Sequence, residues 1–71
     1  RYINLMDPEL RLRYESAPAS LIQELKALKT SLQRKPLIII DEIQKVPDLT
    51  DCIQLLIDDD LAKFILTGSS V

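Results

Sequence analysis

Pro36-Leu37-Ile38-Ile39-Ile40-Asp41-Glu42-Ile43-Gln44-Lys45-Val46-Pro47 is the stretch on which the fold turns. Four consecutive aliphatic residues, three of them β-branched, stop at two adjacent carboxylates. An unbroken apolar run of that length, bounded by a proline and by charge, reads as a strand buried on both faces of a parallel sheet. In open α/β sheets the ligand crevice lies outside the carboxyl ends of the strands, which is where Asp41 and Glu42 would stand.

On the carboxyl side, Gln44-Lys45-Val46 reads as a loop and Pro47-Asp48 as the start of a helix. Leu49, Cys52, Ile53, Leu56 and Ile57 then fall on one helical stripe, with Cys52 as a small buried apolar member. Asp58-Asp59-Asp60 would oppose the partial negative charge of a helix C-terminus, so the helix is expected to stop near Ile57. The three aspartates lack calcium-loop spacing and read as a solvated loop. Lys63 to Thr67 is a further strand, closed by Gly68-Ser69-Ser70.

On the amino side, Gln33-Arg34-Lys35-Pro36 ends a helix that Pro18 opens, with Ser20 and Gln23 spaced as a capping box. Leu21, Leu25, Leu28 and Leu32 form its apolar stripe, the face of a crossover helix packed on a sheet. Before it, Asp7-Pro8-Glu9 supplies an N-cap, a proline at the first helical position and an acid in the first turn, with Leu10 and Tyr14 on one face. Tyr2 to Met6 reads as an edge strand in which Ile3 and Leu5 point one way and Asn4 the other. The order strand, helices, strand, helix, strand implies βαβ units with parallel strands and right-handed crossovers.

Seventy-one residues make one small domain, which removes only about 60% of its unfolded surface from water. At 46% hydrophobic and 28% charged, with net charge −2, the composition is that of a soluble globular protein. No stretch approaches the ~18 apolar residues of a membrane span, and the nine basic residues are scattered, which gives no nucleic-acid signal. The absence of histidine excludes His-dependent triads and the common zinc sites. The single cysteine excludes an internal disulfide and fits a reducing cytoplasm. With Arg1 at its start and no signal-type leader, the sequence reads as an internal piece of a longer protein.

An Asp-Glu pair delivered by a strand suits a nucleotide phosphatase. One carboxylate holds magnesium, usually through water, and its neighbour orients or deprotonates the attacking water. Thr67, Ser69 and Ser70, at the end of the next strand, could bring a hydroxyl to the same water or to the terminal phosphate, or could simply form a tight turn.

Leu37 to Glu42 resembles the Walker B motif of P-loop ATPases in which a glutamate follows the magnesium aspartate. Asp41 to Pro47, followed by Phe64-Ile65-Leu66-Thr67-Gly68-Ser69-Ser70, is similar to a group of bacterial and archaeal AAA-type ATPases, in which Tyr2 to Glu9 matches the second strand and its exit. The resemblance covers nearly the whole chain. It implies an α/β fold, a three-layer-type parallel sheet fragment of a P-loop NTPase with about three parallel strands and crossover helices. Residues 1–71 would run from the second through the fourth strand of the family core. It further implies Asp41 as the magnesium residue, Glu42 as the water-activating residue, and one of Thr67, Ser69 or Ser70 as the sensor-1 group, an ungapped comparison favouring Ser70. ATP and Mg2+ are the implied cofactors, and the implied partners are ATP, the remaining parts of the parent ATPase domain and further copies in a homo-oligomer. Gln44 and Lys45 match the family pattern without a role attached, and Lys45 reads as a solvated loop charge.

The departure from the family is the missing Gly-x-x-x-x-Gly-Lys-Ser/Thr loop, since Gly68 is the only glycine. Family members carry that loop upstream of the second strand, so the segment alone is expected not to hydrolyse ATP. In the family's strand order the three strands lie side by side. Two right-handed crossovers in one direction then place the helices on one face, and the isolated piece is expected to be marginal, self-associating or dependent on a partner. Two other readings stay open: a catalytically silent α/β interaction module, and a metal-dependent hydrolase using Asp41, Glu42 and Asp58 to Asp60.

Overall fold

A computed structural model describes residues 1–68. Its elements follow the expected order: β1 (Tyr2–Asn4), α1 (Pro8–Ser16), α2 (Ser20–Leu32), β2 (Leu37–Asp41), a single 3-10 turn (Ile43–Lys45), α3 (Leu49–Asp58) and β3 (Lys63–Leu66). The strands form one parallel sheet in the order β1-β2-β3, so the isoleucine strand is central.

Registered residues of parallel neighbours share a face, and parity along each strand then decides what is covered. Ile3 pairs with Ile40, and Ile38 with Phe64. Ile3, Leu5, Ile38 and Ile40 are buried in one core with Tyr14 of α1, Leu21 and Leu25 of α2, and Leu49, Ile53 and Leu56 of α3. All three helices therefore lie on one side of the sheet. The opposite parity, Tyr2, Leu37, Ile39 and Ile65, has no layer over it among the described residues. Leu37 is 47% exposed and Ile65 49%. The expectation that β2 is buried on both faces is thus corrected: its burial alternates, and only Ile38 and Ile40 are fully enclosed.

Helix starts follow two rules. In α1 the Asp7 carboxylate accepts the Glu9 amide at 2.9 Å and Pro8 occupies the first turn, as the residue types require. In α2 and α3 no side chain caps the helix. The amides of Ser20, Leu21 and Ile22 donate instead to the carbonyls of Ala17, Pro18 and Ala19, and those of Leu49 and Thr50 to Val46 and Pro47. These tight three-residue turns satisfy the orphan amides before a capping box is needed. The Ser20–Gln23 box therefore does not form, and Ser20 Oγ is buried without a partner. On α3, Leu49, Ile53 and Leu56 are buried and Cys52 half-buried, but Ile57 is 47% exposed, because a step of eight residues from Leu49 turns it about 80° away around the helix, whereas the step of seven to Leu56 nearly returns to the same side. Helix α3 ends at Asp58, one residue beyond the expected stop, with Asp59 as its cap.

One polar hub joins α1 to α2. Glu24 accepts from Arg1 at 2.7 Å, from Arg13 at 2.6 Å and from the hydroxyl of fully buried Tyr14 at 2.9 Å. Burial first, then this hydrogen bond and the Glu24 charge, push the Tyr14 phenol above its ordinary range.

Candidate functional site at the carboxyl ends of the strands

Three strand exits converge beyond β2. The Leu5 amide donates to the Asp41 carbonyl at 3.1 Å, the Thr67 amide to the Ile40 carbonyl at 2.9 Å, and the Ile43 amide to the Thr67 carbonyl at 3.0 Å. Backbone on both sides of Asp41 is therefore fixed by its neighbours. Asp41 shares the parity of Ile39, so its side chain stands on the uncovered face at the edge of the sheet.

Two hydroxyls from the flanking strands meet that carboxylate. Tyr2 Oη donates to Oδ2 at 2.5 Å, and Thr67 Oγ1 donates to Oδ1. The Thr67 bond above all, then the Tyr2 bond, hold the Asp41 carboxyl below the usual carboxylate range; partial burial opposes them and the Glu42 backbone N–H adds to them. The same contact raises the Tyr2 phenol, chiefly through its hydrogen bond to Asp41. An anion with about four lone-pair sites, of which the Tyr2 and Thr67 hydroxyls occupy two among the described residues, keeps room for a further donor. A magnesium-bound water is such a donor, so the residues present fit a water-mediated cation.

Glu42 departs from the strand. With φ 61° it lies in the left-handed region, costly for a residue with a Cβ. This breaks the strand's alternation, which would otherwise send its side chain toward the helix-covered face. Glu42 Oε2 accepts from Gln44 Nε2, and the 3-10 turn that carries Gln44 closes through the Lys45 amide on the Glu42 carbonyl at 3.0 Å. Gln44 and Lys45, expected with Val46 as loop, therefore belong to a defined turn. Lys45 is exposed, as a solvated charge should be.

Of the expected site residues, Asp41, Glu42 and Thr67 lie at this end of the sheet, Asp41 and Thr67 in direct contact. Ser69 and Ser70 lie outside the described residues. Sequence reasoning missed Tyr2. Its only signal was a phenol two register positions from Asp41, hence on the same face, since Tyr2 pairs with Ile39 and Asn4 with Asp41, and that needs the strand pairing to be known. The Asp58 to Asp60 run stays apart. Asp58 accepts from Gln54 at 2.9 Å, and Asp60 is held by Lys35 at 2.6 Å, which lowers its carboxyl. No group of metal-ligating side chains forms among the described residues, and none of the described helices is long and apolar enough to cross a membrane. A basic concavity lined by Arg1, Arg34, Lys35 and Lys63 lies at the opposite end of the strands, away from Asp41.

No curated protein and no solved structure matches the chain significantly. A model of the AAA domain family matches residues 1–71, the full length of the sequence. Parallel β-α-β architecture, acidic residues at the exit of the central strand and this match agree, and the chain belongs to the AAA domain family.

Proposed function

We propose that this chain is the central part of an ATP-binding and ATP-hydrolysing AAA-type domain, active only with the upstream phosphate-binding loop. The observation that carries the reading is Asp41 at the exit of the central strand, held as an anion by hydroxyls from both neighbouring strands. Asp41 anchors the magnesium through its water shell. Bound magnesium would neutralise charge on the phosphates during transfer. Tyr2 and Thr67 fix the rotamer of Asp41 and keep it ionised.

Glu42 accepts a proton from, or orients, the attacking water. With the Thr67 hydroxyl spent on Asp41, the sensor-1 role falls to Ser69 or Ser70, and the resemblance favours Ser70. The working site is cytoplasmic, and the remaining parts of the ATPase domain and further copies of the chain complete it.

The test is magnesium-dependent ATP hydrolysis by the polypeptide extended on both sides of this segment, beside its Glu42→Gln variant. Retained ATP binding with turnover lowered about a hundredfold or more supports the assignment. An extended wild type that neither binds nor cleaves ATP refutes it and leaves the silent-module reading.

A further inference from the structure

Gln44, like Lys45, is a residue of the motif to which the proposed chemistry gives no task, but unlike exposed Lys45 its side chain bridges two parts of the site. Its Nε2 donates to Glu42 Oε2. Its Oε1 lies over Gly68 so closely that a Cβ there would come to 2.4 Å of Oε1 and 3.3 Å of Cδ. Gly68 is the only glycine of the chain, and its φ is not positive. The space beside Gly68 is filled by the Gln44 amide, the end of an exposed side chain, so a Cβ at 68 would displace that amide from its place.

The amide's orientation follows from chemistry. A carboxylate offers acceptors only, so the nitrogen faces Glu42 and the oxygen faces Gly68. The two ends of this bridge belong to different strands. Gln44 sits on the turn after β2, and Gly68 follows Thr67, whose hydroxyl holds Asp41 and whose carbonyl holds the Ile43 amide. A glutamate side chain left to itself samples many rotamers. The bridge confines it, and it makes the position of Glu42 depend on the backbone at the exit of β3.

We infer that Gln44 is a positioning residue: its amide, seated on Gly68, sets the Glu42 carboxylate for the attacking water and links it to the exit of β3. The inference rests on the proposed ATP hydrolysis.

It is tested in the full-length protein with wild type, Gln44→Ala, Gly68→Ala and the double variant, reading kcat, KM for MgATP and Tm. Gln44→Ala should lower kcat about tenfold or more while KM stays within about twofold, as for loss of a group that orients a reacting carboxylate. Gly68→Ala should do the same, because its methyl displaces the amide. In the Gln44→Ala background Gly68→Ala should have no further effect on kcat or Tm, since the methyl then meets only Ile43 Cγ2 at 3.8 Å, an ordinary van der Waals contact. Gln44→Glu, which turns an oxygen toward Glu42, should lose at least as much as Gln44→Ala.

A Gln44→Ala enzyme with wild-type kcat overturns the inference, and so do losses at Gln44 and Gly68 that simply multiply. A rise in KM with kcat intact overturns it as well, because Gln44 would then serve binding. A wild type without turnover refutes the proposed hydrolysis itself and with it the positioning role. That result is distinct from a working wild type that tolerates Gln44→Ala.

Discussion

Ile38, Ile39 and Ile40 are chemically identical neighbours in the central strand, and the fold assigns them different energies. Ile38 and Ile40 are fully buried against the three helices. Ile39, half-buried, faces the side where no layer lies over the sheet among the described residues. Truncating an enclosed isoleucine to alanine removes its transfer free energy and leaves a cavity, about 2–5 kcal/mol, so about 3 kcal/mol is expected at each of positions 38 and 40. At Ile39 no cavity can form and only part of the side chain returns to water, which gives about 1 kcal/mol. Lost β-propensity is common to all three and cancels in the comparison. A chain of this length is stable by roughly 4–10 kcal/mol, so the outer two substitutions consume a large share of the total. The assay is urea unfolding followed by far-ultraviolet circular dichroism. With a slope of about 1 kcal/mol per molar, Ile38→Ala and Ile40→Ala should lower the midpoint by about 3 M and Ile39→Ala by about 1 M. Equal losses at all three positions would mean that β2 is covered on both faces. A larger loss at Ile39 than at its neighbours would mean a one-residue shift of register, and either result refutes the assignment of faces.

Other expectations follow from the hubs and the open face. Tyr14→Phe removes one of the three donors to Glu24 and should cost about 1 kcal/mol in the same unfolding assay; no loss would show that the phenol is not engaged. Because Asp41 titrates below its unfolded value, its contribution to stability is present above pH ~4 and is lost as the pH falls through the lowered folded value. Thr67→Val and Tyr2→Phe should each raise the Asp41 titration seen by carboxyl carbon NMR, Thr67→Val more, and an unmoved titration would refute the two-hydroxyl clamp. Tyr2 carries the opposite sign: its raised phenol gives stability that is present below pH ~10 and lost as the pH rises through the folded value, and Asp41→Asn should abolish that alkaline loss. Ile65→Lys places a charge on the uncovered face and should reduce concentration-dependent self-association in sedimentation; undiminished association would place the contact elsewhere.

What the sequence by itself determined rests on short-range rules. Asp7-Pro8 capped α1, the stripe from Leu49 to Leu56 defined α3, and four aliphatic residues ended by Asp41-Glu42 marked the central strand and its polar end. Each depends on steric and capping preferences that act within a few residues. Three other features arise only in the tertiary structure. The helix start at Ser20 used tight backbone turns where residue types suggested a capping box, and α3 began at Leu49, two residues after the Pro47 start expected. Glu42 took a left-handed conformation that its residue type does not favour, between Ile40 and Ile43, whose backbone groups are both hydrogen-bonded to Thr67. The polar site itself, Tyr2 and Thr67 on Asp41 and Gln44 between Glu42 and Gly68, joins residues of β1 and of the exits of β2 and β3, far apart in the chain. Periodicity can say which face a residue is on, but not which residue of a distant strand stands opposite it. That is decided by strand order and register, which long-range packing sets.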